Sequence, residues 1–267
     1  MTVTRGDRLY GIHPLLEALR SAERHIGGIL LQHGRQGRDI DEILALAKTK
    51  GITVDFRSRE ALDRLTGSAH HQGAVGMVAS KSYTSLEDLL AAVAGKEHPL
   101  LVILDGIEDP HNLGAILRTA EAAGVDGVII PERRAVGLTA AVAKASAGAI
   151  EYLPVARVVN LSHTIDRLKN ENFWIYALDV KGEKSFLGVD YRGAVALVIG
   201  GEGRGIRPLV AQHCDGRIHI PMKGKVSSLN ASVAAGVLLY EVLRQRATAI
   251  PSGPPKPDKT LFDSRLQ

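Results

Sequence analysis

Residues 100–246 predict an α/β fold with a mostly parallel sheet, on three observations. Four short apolar runs, at 100–104, 127–130, 174–178 and 195–199, are rich in Val, Ile and Leu and nearly continuous rather than alternating. Strands buried on both faces have this texture. Helical segments at 113–123, 139–147 and 161–170 separate them, and a long helix from about 229 to 246 closes the region. Such alternation builds a parallel sheet with helices on both sides. A fifth run, 218–220, ends at Pro221.

The preceding elements form a smaller α/β unit. Leu15, Leu16 and Leu19 carry helical spacing within 10–19, and 26–31 is a short strand-like run. Residues 39–50 make an amphipathic helix with Ile40, Ile43, Leu44 and Ala47 on one face. A strand at 52–56, a short helix at 59–65 and a strand at 74–79 complete it. Between 81 and 98 lies one modest helix, with Thr84 or Ser85 as cap before Leu86, Leu89 and Leu90, then a break at 95–99. The expected organisation is an N-terminal unit at 1–80, a linker suited to a hinge at 81–98, a main domain at 99–248, and a flexible tail at 249–267 with four prolines.

Composition narrows the function classes. Of 267 residues, 45% are hydrophobic and 23% charged, as in ordinary soluble domains. Aromatics are only 4%, so Leu, Ile, Val and Ala must build the cores. A net charge of +4 permits a polyanionic partner without demanding one. The single cysteine, Cys214, excludes an internal disulfide and a cysteine-rich zinc site; it is either a small buried residue or a nucleophile without a partner motif. Residues 1–9 lack a signal-peptide core, and no apolar run reaches the ~20 residues that span a bilayer. The expected location is cytoplasmic.

Three strand ends carry unusual chemistry, and in such folds ligands gather at carboxyl ends of strands. The first, 104–114, reads LDGIEDPHNLG and leads into a helix bearing Arg118 and Glu121. Asn112 stands where a helix cap would; it serves as that cap or in function. Arg118 could reach a phosphate or pair with Glu121 or Glu108. The second, 199–206, reads IGGEGRGI. Four glycines in six residues let a ligand approach the backbone. The spacing fits neither the dinucleotide fingerprint nor a P-loop. Glu202 and Arg204 could pair with each other or cap the helix after Pro208. The third, 220–232, reads IPMKGKVSSLNAS, with Ser227, Ser228 and Asn230 at the start of the last helix and Lys223 and Lys225 before it.

In order and spacing, these segments resemble the signature motifs of the SpoU (TrmH) family of RNA ribose 2′-O-methyltransferases. The N-terminal unit, with YGIHPLLEAL at 10–19 and HHQG at 70–73, resembles the extension of the subgroup that methylates a guanosine of 23S ribosomal RNA. The resemblance implies a SPOUT-type parallel sheet with a C-terminal trefoil knot, and a ribosomal-protein-like RNA-binding unit before it. It implies S-adenosylmethionine as cofactor, held by Gly200, Ile220 and Leu229 with Gly201 and Met222 nearby, and a homodimer acting on large-subunit ribosomal RNA. It implies a catalytic group of Asn112, Arg118, Glu202, Ser228 and Asn230.

The chemistry is consistent with those residue types. A sulfonium methyl is already electrophilic, so no metal is needed. The ribose hydroxyl must lose a proton during attack. Arg118, permanently charged, suits gripping the adjacent phosphate. Glu202 suits accepting the proton or orienting Arg118, and Ser228 and Asn230 suit positioning. Arg5, Arg8, Arg20, Arg24, Arg35 and Arg38 are candidate phosphate contacts on the N-terminal unit. Transfer RNA is an alternative substrate, and a non-catalytic RNA-binding assembly factor is an alternative function.

Overall fold

The computed structural model describes residues 7–21 and 23–248; the expected tail, Arg5 and the chain start lie outside them. The first sheet has the order β1-β4-β2-β3, from β1 (Asp7–Tyr10), β2 (Ile26–Gln32), β3 (Val54–Arg57) and β4 (Ala74–Val78). β2 and β3 are parallel, whereas β4 runs antiparallel to both β1 and β2. Helices α1 (Ile12–Arg20), α2 (Arg38–Thr49) and α3 (Arg59–Thr66) cover it. Leu15, Leu19, Ile29, Leu31, Ile43 and Leu62 fill its interior. β1 is not legible in the sequence because only Leu9 of its four residues is buried.

The segment expected to be a hinge is packed. Ser85 caps α4 (Leu86–Val93), accepting from Asp88 N–H. Leu89 is fully buried over Gly127, where any Cβ would collide with it. Leu90 and Val93 are buried beside it, and Thr84 N–H donates to the Val155 carbonyl at 2.9 Å. Three apolar side chains on one short helix face cannot stay in water, so the segment docks.

The second sheet is parallel at every pairing and has the order β7-β6-β5-β10-β8-β11-β9. Its strands are β5 (Leu100–Asp105), β6 (Gly127–Pro131), β7 (Val155–Val158), β8 (Trp174–Leu178), β9 (Lys184–Ser185), β10 (Val195–Gly200) and β11 (Gly216–His219). Helices α5 (Pro110–Ala122), α6 (Ala140–Ala145) and α9 (Ala231–Thr248) pack on one face, and α4, α7 (Leu161–Asn170) and α8 (Pro208–His213) on the other. From β5 the chain winds outward to β6 and β7, then returns to fill the opposite side. The winding direction therefore reverses between β5 and β10, where open α/β sheets bind ligands.

A buried ion pair joins the two sheets' layers. Arg24, with a side chain 4% exposed, pairs with the wholly buried Glu151, and Lys81 Nζ donates to the Glu151 carbonyl at 3.1 Å. Lys144 Nζ donates to the His70 carbonyl at 2.7 Å and lies over the Tyr10 ring. This corrects part of the expected arginine surface. Arg24 is structural, Arg20 pairs with Glu17 and Glu42, and Arg8 donates to the Leu65 carbonyl, whereas Arg35 and Arg38 stay exposed. No helix among the described residues is long and apolar enough to cross a membrane.

Candidate active site

The three strand-end segments meet at the point where the winding reverses. Asp105, last residue of β5 and 2% exposed, uses both carboxylate oxygens on Arg207: one accepts the backbone N–H at 2.8 Å, the other Nε–H at 2.7 Å. Gly201 N–H donates to the Asp105 carbonyl at 2.8 Å. A Cβ on Gly201 would collide with the Gly106 carbonyl, and one on Gly200 with the backbone of Gly205 and Ile206. Gly203 and Gly205 adopt φ of 80° and 62°, which side chains disfavour. The glycines thus let the loop fold back on itself and lie against the first segment.

A cavity of about 610 Å³ opens beside this loop. It is lined by Gly200 and Gly201 from the loop, and by Ile220, Met222, Ser228 and Leu229 from the third segment. Every residue expected to hold the cofactor lies on its wall. Leu178, Asp179 and Val180, at the end of β8, complete the wall and were not singled out in the sequence. Their signal was present, because the runs 174–178 and 100–104 each end in Leu and are followed by Asp. A second cleft of about 440 Å³ shares Gly201, Glu202 and Gly205 with the first and adds Asn112, Arg134, Arg204 and Arg207.

Asn230 joins the segments where the two spaces meet. Its Oδ1 accepts from Ser232 N–H at 2.9 Å, Ser232 Oγ–H at 2.6 Å and Val233 N–H at 3.3 Å, which caps α9. Those acceptances fix the amide's orientation, leaving Nδ2 to donate. It donates to Asn112 Oδ1 at 2.9 Å and to Glu202 Oε1. Asn112 therefore does not cap its helix. Asp109 does so, accepting from the backbone N–H groups of His111 and Asn112. Glu202 bonds to Asn230 rather than pairing with Arg204 or orienting Arg118.

Arg118 is the one member of the expected group that the structure does not bring in. It is exposed on α5 and lines neither space. Cys214 sits away from both, its thiol donating to the Val210 carbonyl at 3.3 Å. Burial pushes that thiol up to about 12, with Asp215 adding to the rise, which disfavours the nucleophilic thiolate.

The SpoU rRNA Methylase family matches residues 99–240, and the RNA 2′-O ribose methyltransferase substrate-binding family matches residues 8–84. A Bacillus subtilis protein named for the TrmH family of tRNA/rRNA methyltransferases is 46% identical over 90% of this chain and 96% of its own. Among solved structures, an RNA 2′-O ribose methyltransferase superposes with TM-score 0.77 at 26% identity, covering 91% of this chain and 90% of that one. The methyltransferase AviRb of Streptomyces viridochromogenes, solved with AdoMet, shares the fold with TM-score 0.75 at 24% identity over 91% of each chain. Motif geometry, family match and relatives agree: the chain belongs to the SpoU (TrmH) family and is an RNA methyltransferase with an N-terminal RNA substrate-binding unit.

Proposed function

We propose that this protein transfers the methyl of S-adenosylmethionine to a ribose 2′-hydroxyl, on a guanosine of 23S ribosomal RNA. The observation that carries the reading is Asn230, which ties Asn112 and Glu202 together on the rim of the large cavity. The cavity's size lies within the range of small-molecule sites. Ile199, Ile206, Ile220 and Leu229 offer it apolar walls for a flat base, and the glycine loop offers main-chain donors and acceptors. AviRb, with the same fold, was solved with AdoMet. When bound, S-adenosylmethionine supplies a methyl made electrophilic by its sulfonium charge.

The chain's own residues handle the acceptor. Asn230 holds one Glu202 oxygen and leaves the other to take the hydroxyl proton as the oxygen attacks. Asn112, its Oδ1 committed to Asn230, presents Nδ2 as a donor, and Ser228 adds a hydroxyl from the cavity wall. Both suit aligning the ribose.

A dimer accounts for Arg118. Helix α9 packs on α5 and carries exposed Val233, Val237, Tyr240 and Leu243, while its small residues Ala231 and Ala235 face the core. A second copy covering that stripe would lie against the α5–α9 layer, and RNA held between the copies would meet the exposed Arg118 guanidinium at a backbone phosphate. The expected knot is supported by the chain's path. After β11 it crosses the ends of β8 and β10 along the cavity wall before α9 reaches α5.

The test is mapping of ribose methylation across ribosomal and transfer RNA with and without the gene. Loss at one 23S guanosine is expected. Loss confined to transfer RNA overturns the target, and no loss anywhere overturns the reaction.

A further inference from the structure

Resting on the RNA-methyltransferase reading, the next question is how the N-terminal unit grips its substrate. β2 and β3 are parallel with Gln32 opposite Arg57, so their carboxyl ends are level. His33 N–H donates to the Arg57 carbonyl at 2.9 Å and clamps those ends together. Immediately there, the His33 and Phe56 rings stack with centroids 5.9 Å apart and planes 29° from parallel. Both are exposed, Phe56 by 41%. The chain has four phenylalanines; Phe173 and Phe186 are buried and Phe262 lies outside the described residues. Among the described residues Phe56 is the phenylalanine on the surface, and it stands on an edge strand.

Exposed arginines flank the stack. Stretches 33–38 and 56–59 contain Arg35, Arg38, Arg57 and Arg59 and no acidic residue, and all four arginines are exposed. Asp55 pairs with Arg57 at 3.3 Å on open surface, where such a pair exchanges readily. Asp39, Asp41 and Glu60 lie in the first turns of α2 and α3, where they serve the helix N-termini. Arg35 and Arg38 form no ion pair among the described residues, and neither end of this surface touches the catalytic cavity.

We propose that the His33–Phe56 stack, with Arg35 and Arg38 beside it, forms the platform on which the N-terminal unit seats an unpaired base of its RNA. A ring stack offers a flat face that any base can cover, and guanidinium groups bind the flanking phosphates. A base inside a duplex is already stacked on both faces and cannot reach it. The partner this surface fits is single-stranded RNA, such as a loop or bulge, rather than a helix.

The test uses the full-length enzyme with a fluorescein-labelled oligouridylate and with an RNA duplex of equal length, read by anisotropy. Calorimetric binding of S-adenosylmethionine reports an intact catalytic domain. Phe56→Ala is expected to weaken single-strand binding about 5- to 100-fold, the size of one lost base stack. It should leave duplex and S-adenosylmethionine binding unchanged, and Phe56→Trp should restore single-strand affinity. Arg35→Gln and Arg38→Gln should each flatten the salt dependence by about 0.7 in log–log slope. Wild-type affinity in Phe56→Ala, or a wild-type preference for duplex, overturns the proposal. Absence of methyl transfer by the wild-type enzyme instead overturns the reaction, and leaves the binding comparison readable.

Discussion

Asn230 has one carbonyl oxygen and two amide protons, and the structure uses all three. That accounting predicts an unusual mutant. Asn230→Asp keeps the acceptor that caps α9, so the fold should hold. It replaces the donor to Glu202 with a second carboxylate, and like charges at contact push Glu202 out of place or protonate one of the pair. Single-turnover methyl transfer should fall about 10²- to 10³-fold, the size seen when a positioned donor in an active site is lost. S-adenosylmethionine affinity should change little; transfer at the wild-type rate would remove Asn230 from the mechanism. Cys214 gives a second expectation. Its pKa near 12, against an ordinary value of 9.0, leaves about a thousandfold less thiolate at neutral pH. Alkylation by iodoacetamide at neutral pH should be well slower than for a free thiol and speed up only in strongly alkaline solution.

At the scale of elements, α4 docks by its apolar face, with Glu87 paired to Arg167 at its exposed edge. Leu89→Ala opens a void over Gly127 and should cost about 2–5 kcal/mol, read as a fall in the denaturation midpoint. The same elements show how far the sequence could be read. Strands β5, β6, β8 and β10 were legible because burial on both faces leaves an unbroken apolar run. β7 was not, because Val155–Val158 is short, follows Pro154 and places the exposed Arg157 among its apolar residues. β9 has two residues and no pattern to read. The site was legible in its glycine, serine and asparagine segments, since those types carry backbone and capping chemistry. Asp105 and Arg207 were not, because their bond spans 102 positions and no local spacing encodes it. For Asn112, cap and function were indistinguishable until Asp109 took the cap.

Over the whole molecule, Glu151 is the centre of the join between the substrate-binding unit and the methyltransferase sheet. It pairs with Arg24 from one side while Lys81 donates to its carbonyl. Glu151→Ala would leave the Arg24 guanidinium buried without its counter-charge, at a cost of about 3–5 kcal/mol. Equilibrium unfolding should show that loss, with protease cleavage near residues 79–84 appearing first. A variant as stable and as protease-resistant as wild type would show that apolar packing alone holds the units together. The bond from Asn230 to Asn112 has a different consequence, in the order of synthesis. Its ends lie 118 positions apart. A growing chain makes the Asn112 corner early, adds Glu202 only 28 positions before Asn230, and carries both incomplete until Asn230 emerges. No shorter intermediate holds Glu202 in place, so methylating competence should arrive in one step rather than build gradually along the nascent polypeptide.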